Sequence, residues 1–378
     1  MTISKIKQFA KSKFSDARCI VIKIGSGLLV QKKTNLLRLD WLNSVAADVH
    51  SLQSEGKRVV IVSSGSIAFG RKILKLENSI LSLEESQAAA AVGQIFLAQS
   101  YQKILEKFNI IAAQILVTAE DSQNRRRYLN SRATLLKLLE MGVVPIVNEN
   151  DTVATDEIRF GDNDRLAAQV ASLCDANILV LLSDVDGLYT SDPNLNLEAS
   201  HIQIVEKITD DIEMMATDKE SGFSKGGMRT KLEAAKVAVA AGCHMVITNG
   251  DCRLPIHSIS QGRKCTWFVS SDDPIDARKQ WIFNTKAKGE IYVDTGAEKA
   301  IVKGKSLLPA GVIKITGEFY RGDTVVILSS DGKFLARGLI GYSYKDVDLI
   351  KGCHSSKIKA ILGHPGRSVL IHRNDMTL

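Results

Sequence analysis

Short apolar runs alternate with amphipathic stretches along the first two-thirds of the chain. Cys19 to Gly25 (CIVIKIG) is one such run, ending at glycine; Arg58 to Gly65 (RVVIVSSG) is another, ending in small polar residues. Ile110 to Val117, Val143 to Val147, Ala176 to Ser183 and His244 to Thr248 continue the series. Between them, residues 38–54, 84–107, 129–141 and 229–241 carry helical spacing. Unbroken Val/Ile/Leu runs are what strands buried on both faces require, and the intervening helices supply crossovers. The pattern predicts an α/β fold, a mostly parallel open sheet sandwiched by helices. Such sheets bind ligands beyond the carboxyl ends of their strands. That rule points to Lys23–Gly27, Ser63–Gly65, Asn148–Asp151 and Ser183–Asp184 as the places to look for chemistry.

Past residue 270 the pattern changes. Ser270-Ser271-Asp272-Asp273-Pro274 reads as a linker. Short strand-like runs separated by glycines follow: Gly289 to Val293, Gly311 to Ile315, Asp323 to Leu328, Leu335 to Ile340 and Ser368 to His372. Regular short strands with turn signals predict a small β-rich, barrel-like domain. The expected division is residues 16–270 and 285–370. The opening MTISKIKQFAKSKFS places Ile3, Ile6, Ala10 and Phe14 at loosely helical spacing and reads as a basic extension or short helix. Its lack of arginine argues against a transit peptide.

Composition narrows the class. Hydrophobic residues at 45% and charged residues at 24% are ordinary for a globular protein. No apolar run approaches the ~18 residues of a membrane helix, and no apolar signal segment follows the first basic residues, so a cytoplasmic protein is expected. The six cysteines are scattered without a CxxC pair, which fits reduced thiols rather than structural zinc. The formal charge of +7 is uneven. Residues 281–378 hold 15 basic and 9 acidic side chains, and residues 1–15 hold four lysines and no acid, so the body between is near neutral. A basic C-terminal module can serve an anionic partner such as nucleic acid; charge alone is as well explained by a solvated surface.

Four segments carry candidate chemistry. Lys23-Ile24-Gly25-Ser26-Gly27 puts a lysine and glycines at a strand end, where backbone N–H groups can approach a phosphate. Lys225-Gly226-Gly227-Met228-Arg229-Thr230-Lys231 leads into a helix whose N-terminus can hold phosphate, with Lys231 about one turn inside. Asn148-Glu149-Asn150-Asp151 and Gly161-Asp162-Asn163-Asp164 are dense acid and amide clusters, able to bind an ammonium group, orient lysines or hold Mg2+. Ser183-Asp184-Val185-Asp186-Gly187-Leu188-Tyr189 closes a buried strand in a polar turn suited to a nucleotide. Neither a Walker A loop nor a protein-kinase motif set is present. Together the segments suggest phosphoryl transfer without a covalent enzyme intermediate, which needs positioning and charge neutralisation; a carboxylate acceptor would need no general base. Arg125-Arg126-Arg127 reads as a solvated helix face.

VIKIGSG, VSSGSIAFG, the AVGQ helix, PIVNENDTVAT, FGDNDRL, LLSDVDGLYTSDP and GGMRTKLEAAKVA stand in the order of the glutamate 5-kinase motifs of the amino-acid kinase family, which the chain resembles over roughly residues 18–270. GEIYVDTGAEKAI, LLPAGV, GEFYRGD and ILGHPG resemble a PUA domain, a pseudo-barrel of many RNA-modifying enzymes. The resemblance implies ATP-dependent phosphorylation of the side-chain carboxylate of L-glutamate to glutamyl 5-phosphate, the first step of proline biosynthesis. It implies that Lys23 and Lys231 contact the transferring group and Asp164 orients both. Ser64, Asp151, Asp162 and Asn163 would hold glutamate; Lys23, Ser183, Asp184 and Lys225 through Lys231 would hold ATP. Mg2+ would ride on the ATP phosphates, with no protein ligand assigned. Feedback by proline, a homo-oligomer and RNA as a further partner are also implied. The sequence departs from the family where Gly-Ser-Gly replaces the common Gly-Thr-Ser, and where Ser183 and Lys225 replace threonines. Rival readings are an amino-acid kinase acting on another carboxylate, an RNA-binding protein acting through its tail, and an inert paralogue; both lysines and Asp164 argue against the last.

Overall fold

The computed structural model describes residues 3–31, 36–76, 81–118, 121, 124–153, 163–216 and 227–378. It divides into two compact units, residues 1–123 with 131–274, and residues 124–130 with 275–378.

The first unit opens with α1 (Ile3–Asp16), then β1 (Cys19–Ile24), α2 (Ser26–Leu29), α3 (Leu39–Ser54), β2 (Arg58–Ser63), α4 (Ser66–Ile73), α5 (Leu83–Glu106) and β3 (Ala112–Val117). It continues through α6 (Arg125–Glu140), whose first residues count with the second unit, and β4 (Val144–Glu149), α7 (Asn163–Leu173) and β5 (Ile178–Ser183). Three two-residue strands follow, β6 (Leu188–Tyr189), β7 (His201–Ile202) and β8 (Ile204–Val205), then α8 (Asp210–Met214), α9 (Met228–Ala240), β9 (His244–Asn249), α10 (Pro255–Ser260) and β10 (Cys265–Phe268). The main sheet runs β3-β4-β2-β1-β5-β9-β10-β8. Its pairs are parallel except β9 with β10. Every residue of β1, β4 and β5 is buried, which is why these segments read as continuous apolar runs.

Local signals set the helix ends. Ser82 and Glu85 form a reciprocal capping box at the start of α5, with Ser82 N–H donating to Glu85 Oε2 at 2.8 Å. The basic opening segment is built into the core: Ile6, Ala10 and Phe14 are buried. Phe9 and Phe14 meet the fully buried Trp267 edge-on, with ring centres 5.6 and 6.0 Å away. Its lysines face outward while its apolar stripe covers the sheet, so periodicity rather than charge describes its role.

The second unit contains α11 (Pro274–Asn284), β11 (Gly289–Val293), α12 (Thr295–Val302), β12 (Val312–Gly317), β13 (Thr324–Leu328), β14 (Phe334–Leu339), α13 (Tyr344–Ile350), α14 (Ile358–Leu362) and β15 (Met376–Thr377). Its five-stranded sheet runs β12-β11-β13-β14-β15 around a separate core that includes Ile291, Phe319, Ile327 and Val347. Four of the five strand-like runs become strands. Ser368 to His372 does not; it makes a single bridge from Ile371 to Leu307, and β15 is the edge strand instead. Ile371 is fully buried, so the run is apolar because it packs, not because it extends the sheet.

Candidate active site

The carboxyl ends of β1, β2, β5 and β9 emerge together: Ile24 lies opposite Ser63 and Leu182, and Ser183 opposite Asn249. Lys23, one residue from the end of β1, is buried. Asp164 stands in the first turn of α7 and is 1% exposed. Lys231 lies one turn inside α9 and is buried as well. All three meet. Lys23 Nζ pairs with Asp164 Oδ1, and Lys231 Nζ donates to Asp164 Oδ2 at 3.1 Å. Burial alone would push the Asp164 carboxyl up, but the two ammonium groups outweigh it and hold it at about 2. Two cations around one carboxylate leave a net positive charge at the sheet edge, aimed where the strand-end rule places a ligand.

A polar cluster adjoins this triad. Asn163, next to Asp164, donates through Nδ2 to Ser64 Oγ at 2.8 Å, to the Ser63 carbonyl at 3.1 Å and to Asn148 Oδ1 at 3.2 Å. Ser66 Oγ donates to Asp151 Oδ2 at 2.7 Å. Gly65 makes the approach to α4 feasible, with φ +108, a conformation costly for other residues. Beneath the cluster, Ser63 Oγ and Tyr101 Oη are 2.9 Å apart, and burial pushes the Tyr101 phenol far up.

The residues expected to hold a nucleotide lie along the same edge. Ser183 Oγ donates to Asp184 Oδ1 at 3.0 Å, and Asn249 Nδ2 donates to the Asp184 carbonyl at 3.1 Å. Gly227 stands at the N-cap of α9 and has no side chain with which to cap it. Thr230 Oγ1 turns back to the Gly227 carbonyl at 2.9 Å. Asp162, Lys225 and Gly226 lie outside the described residues.

Sequence reasoning passed over Ser66, Gln94 and Asn249. Asn148 was noticed only as part of a cluster; its Nδ2 donates to Gln94 Oε1 at 2.9 Å. Gln94 and Ser66 fall inside quoted motifs, so their position was available, but their partners are set only by the fold.

Among known proteins, the profile of the Amino acid kinase family matches residues 18–249, and that of the PUA domain matches residues 289–362. The protein named Glutamate 5-kinase from Dinoroseobacter shibae is 56% identical over 364 residues, covering 96% of this chain and 99% of its own. A protein of the same name from Rhodopseudomonas palustris is 51% identical over 370 residues, covering 98% of each chain. The chain belongs to the glutamate 5-kinase family. The sheet of this glutamate 5-kinase family member is also similar to a solved carbamate kinase from Giardia lamblia bound to AMP-PNP, with a TM-score of 0.50 and 14% identity over 68% of this chain and 100% of that one. That likeness concerns the fold alone. Among the described residues no helix is long and apolar enough to cross a membrane.

Proposed function

We infer that this chain transfers the γ-phosphoryl group of ATP to the side-chain carboxylate of L-glutamate, giving ADP and glutamyl 5-phosphate at the first step of proline biosynthesis. The observation that carries the reading is Asp164 held between Lys23 and Lys231 beside the Ser64–Asn163 cluster. A carboxylate oxygen attacks the γ-phosphorus, and the bond to the bridging oxygen of ADP breaks. The nucleophile is already ionised, so no proton must be removed first. Lys23 and Lys231 neutralise charge that spreads over the transferring oxygens, and Asp164 fixes both ammonium groups without approaching the phosphate itself. Asp151 is suited to an α-ammonium group, and Ser64 and Asn163 to an α-carboxylate; Asp162 is assigned to the same pocket by family resemblance. Ser183, Asp184 and the Lys225–Lys231 stretch would hold the nucleotide, the uncapped α9 N-terminus facing its phosphates.

Mg2+ fits as a partner of ATP rather than of a protein cage. Both Asp164 oxygens are engaged by lysines, and no group of three metal-ligating side chains occurs among the described residues. When bound, the ion would add charge neutralisation on the phosphates. The same reading carries feedback by proline at the glutamate pocket, a cytoplasmic location and RNA as a candidate partner of the PUA domain. A homo-oligomer is part of it too, supported by the exposed Ile95, Phe96, Ile111 and Leu116 on α5 and around the edge strand β3. The test is ATP consumption by the purified chain with L-glutamate, L-aspartate or N-acetyl-L-glutamate, with the acyl phosphate trapped by hydroxylamine. Glutamate-dependent hydroxamate is expected; preference for either other acceptor would refute the assignment.

A further inference from the structure

Three arginines of the second unit converge on the segment leaving β14, Leu339 to Tyr342. Arg321 lies in the turn before β13, where Gly322 N–H donates to the Ile340 carbonyl at 2.7 Å and Ile340 N–H donates to the Asp323 carbonyl at 3.0 Å. Arg367 flanks the other side: Tyr342 Oη donates to its carbonyl, and a Cβ built on Gly341 would lie 3.9 Å from its Cδ. Arg126 arrives on α6. Leu129, one turn further along that helix, packs with Leu339 and Ile282. Its neighbour Tyr128 is tied down by Arg278, which also donates to Asp375 at 2.7 Å.

Arg132 and Arg278 are each paired with an aspartate, whereas among the described residues no carboxylate comes within 4.0 Å of Arg126, Arg321 or Arg367. Neighbouring acids are engaged: Asp323 accepts from Tyr320 N–H at 2.8 Å, Asp346 from Ser343, and Asp375 from Arg278. Arg321 Nε is buried without a hydrogen-bond acceptor. Burial, then the charges of Arg367 and Arg126, make the Arg321 guanidinium easier to deprotonate than usual. Gathered like charges without a counter-ion are costly until an anion joins them, and planar guanidinium groups match phosphate oxygens in pairs.

We propose that Arg126, Arg321 and Arg367 form a binding site for a phosphate group, separate from the kinase centre. The phosphate can be free or part of a single-stranded nucleic acid backbone; exposed Tyr320, beside Arg321, offers a base a stacking surface in the second case. The test uses the full chain with its nucleotide site saturated by a non-hydrolysable ATP analogue. Inorganic phosphate and a short oligouridylate are titrated separately by calorimetry into the wild type, R126Q, R321Q, R367Q and a K333Q control at an exposed lysine. At least one probe is expected to bind, and each arginine variant should weaken it roughly tenfold or more, with K333Q unchanged. Binding of inorganic phosphate alone identifies a free-phosphate site; binding of the oligonucleotide alone identifies a backbone site. Binding of neither probe, or binding that the arginine variants leave intact, overturns the proposal. Arg126 is exposed, so R126Q remains decisive should a more buried variant unfold.

Discussion

Gly93 lies against Ser66 so closely that a Cβ at position 93 would stand 1.8 Å from the Ser66 carbonyl oxygen. Gly70 repeats the arrangement toward Ala89, at 1.6 Å. Helices α4 and α5 therefore touch backbone to backbone, and this contact seats Ser66 against Asp151 and Gln94 against Asn148. Gly93→Ala should destabilise the protein by about 3 kcal/mol or more and raise the glutamate KM, because the overlap is with backbone that cannot yield locally. Thermal unfolding and KM measured on the same preparation check this. A variant with an unaltered melt would show that the helices separate freely.

Lys231→Ala should lower kcat by roughly 100- to 1,000-fold, with a smaller change in glutamate KM, as expected for a group whose main contact forms in the transition state. Steady-state rates at saturating MgATP decide it. An unchanged kcat would remove Lys231 from the chemistry.

Asp151→Ala should raise the glutamate KM while leaving ATP affinity intact. Asp151 is oriented by Ser66, whose hydroxyl donates to it. Equal losses for both substrates would instead indicate a collapsed site.

Two buried carboxylates respond to pH in opposite senses. Burial pushes Asp48 from 3.8 up to about 6, although its oxygens accept from Ile256 and His257 N–H at the start of α10. The folded chain then keeps a proton that the unfolded chain has lost, so stability from this group is full below 3.8 and lost as pH rises through about 6. Asp164, lowered to about 2, contributes stability above 3.8 that is lost as pH falls through 2. Asp48→Asn should abolish a decline of roughly 2–3 kcal/mol between about pH 4 and 6. Urea unfolding across that range, with the wild type alongside, measures it; parallel slopes would exclude Asp48 as the cause.

A chain ending at Pro274 should fold and phosphorylate glutamate, since every residue assigned to the chemistry precedes Leu232. It should also melt lower, because Leu129 loses Ile282 and Leu339, and Tyr128 loses Arg278. Losing that packing costs about 2 kcal/mol. A cooperative melt and a hydroxamate assay test both halves, and a folded but inactive product would tie the second unit to the reaction.

The parallel strands were legible because burial on both faces removes the polar alternation that would otherwise blur them. The lysines and Asp164 were legible because strand ends and a helix start are where such charges have a use. By contrast, β10 reads Cys-Thr-Trp-Phe, too short and mixed to stand out, and its antiparallel pairing with β9 depends on a crossover that no local signal encodes. The Ser66–Asp151 and Asn148–Gln94 pairs were hidden for a similar reason: each joins residues from different elements, and polar side chains look alike whether they meet a partner or water. The arginine run at 125–127 read as a solvated face, and Arg126 and Arg127 are exposed; Arg321 and Arg367 of the same unit lie far along the sequence, so periodicity could not group them with Arg126.

The proposed kinase centre draws Lys23 from the first strand of the sheet and Lys231 from the helix that precedes β9, with β5 paired between β1 and β9. Closing loops of that length is slow and must be finished before the two ammonium groups can share one carboxylate. Turnover regained during refolding should thus report when α9 docks beside the first strand. A ribosome-bound chain that has not yet extended past α9 would be catalytically silent, however much of its sheet had already formed.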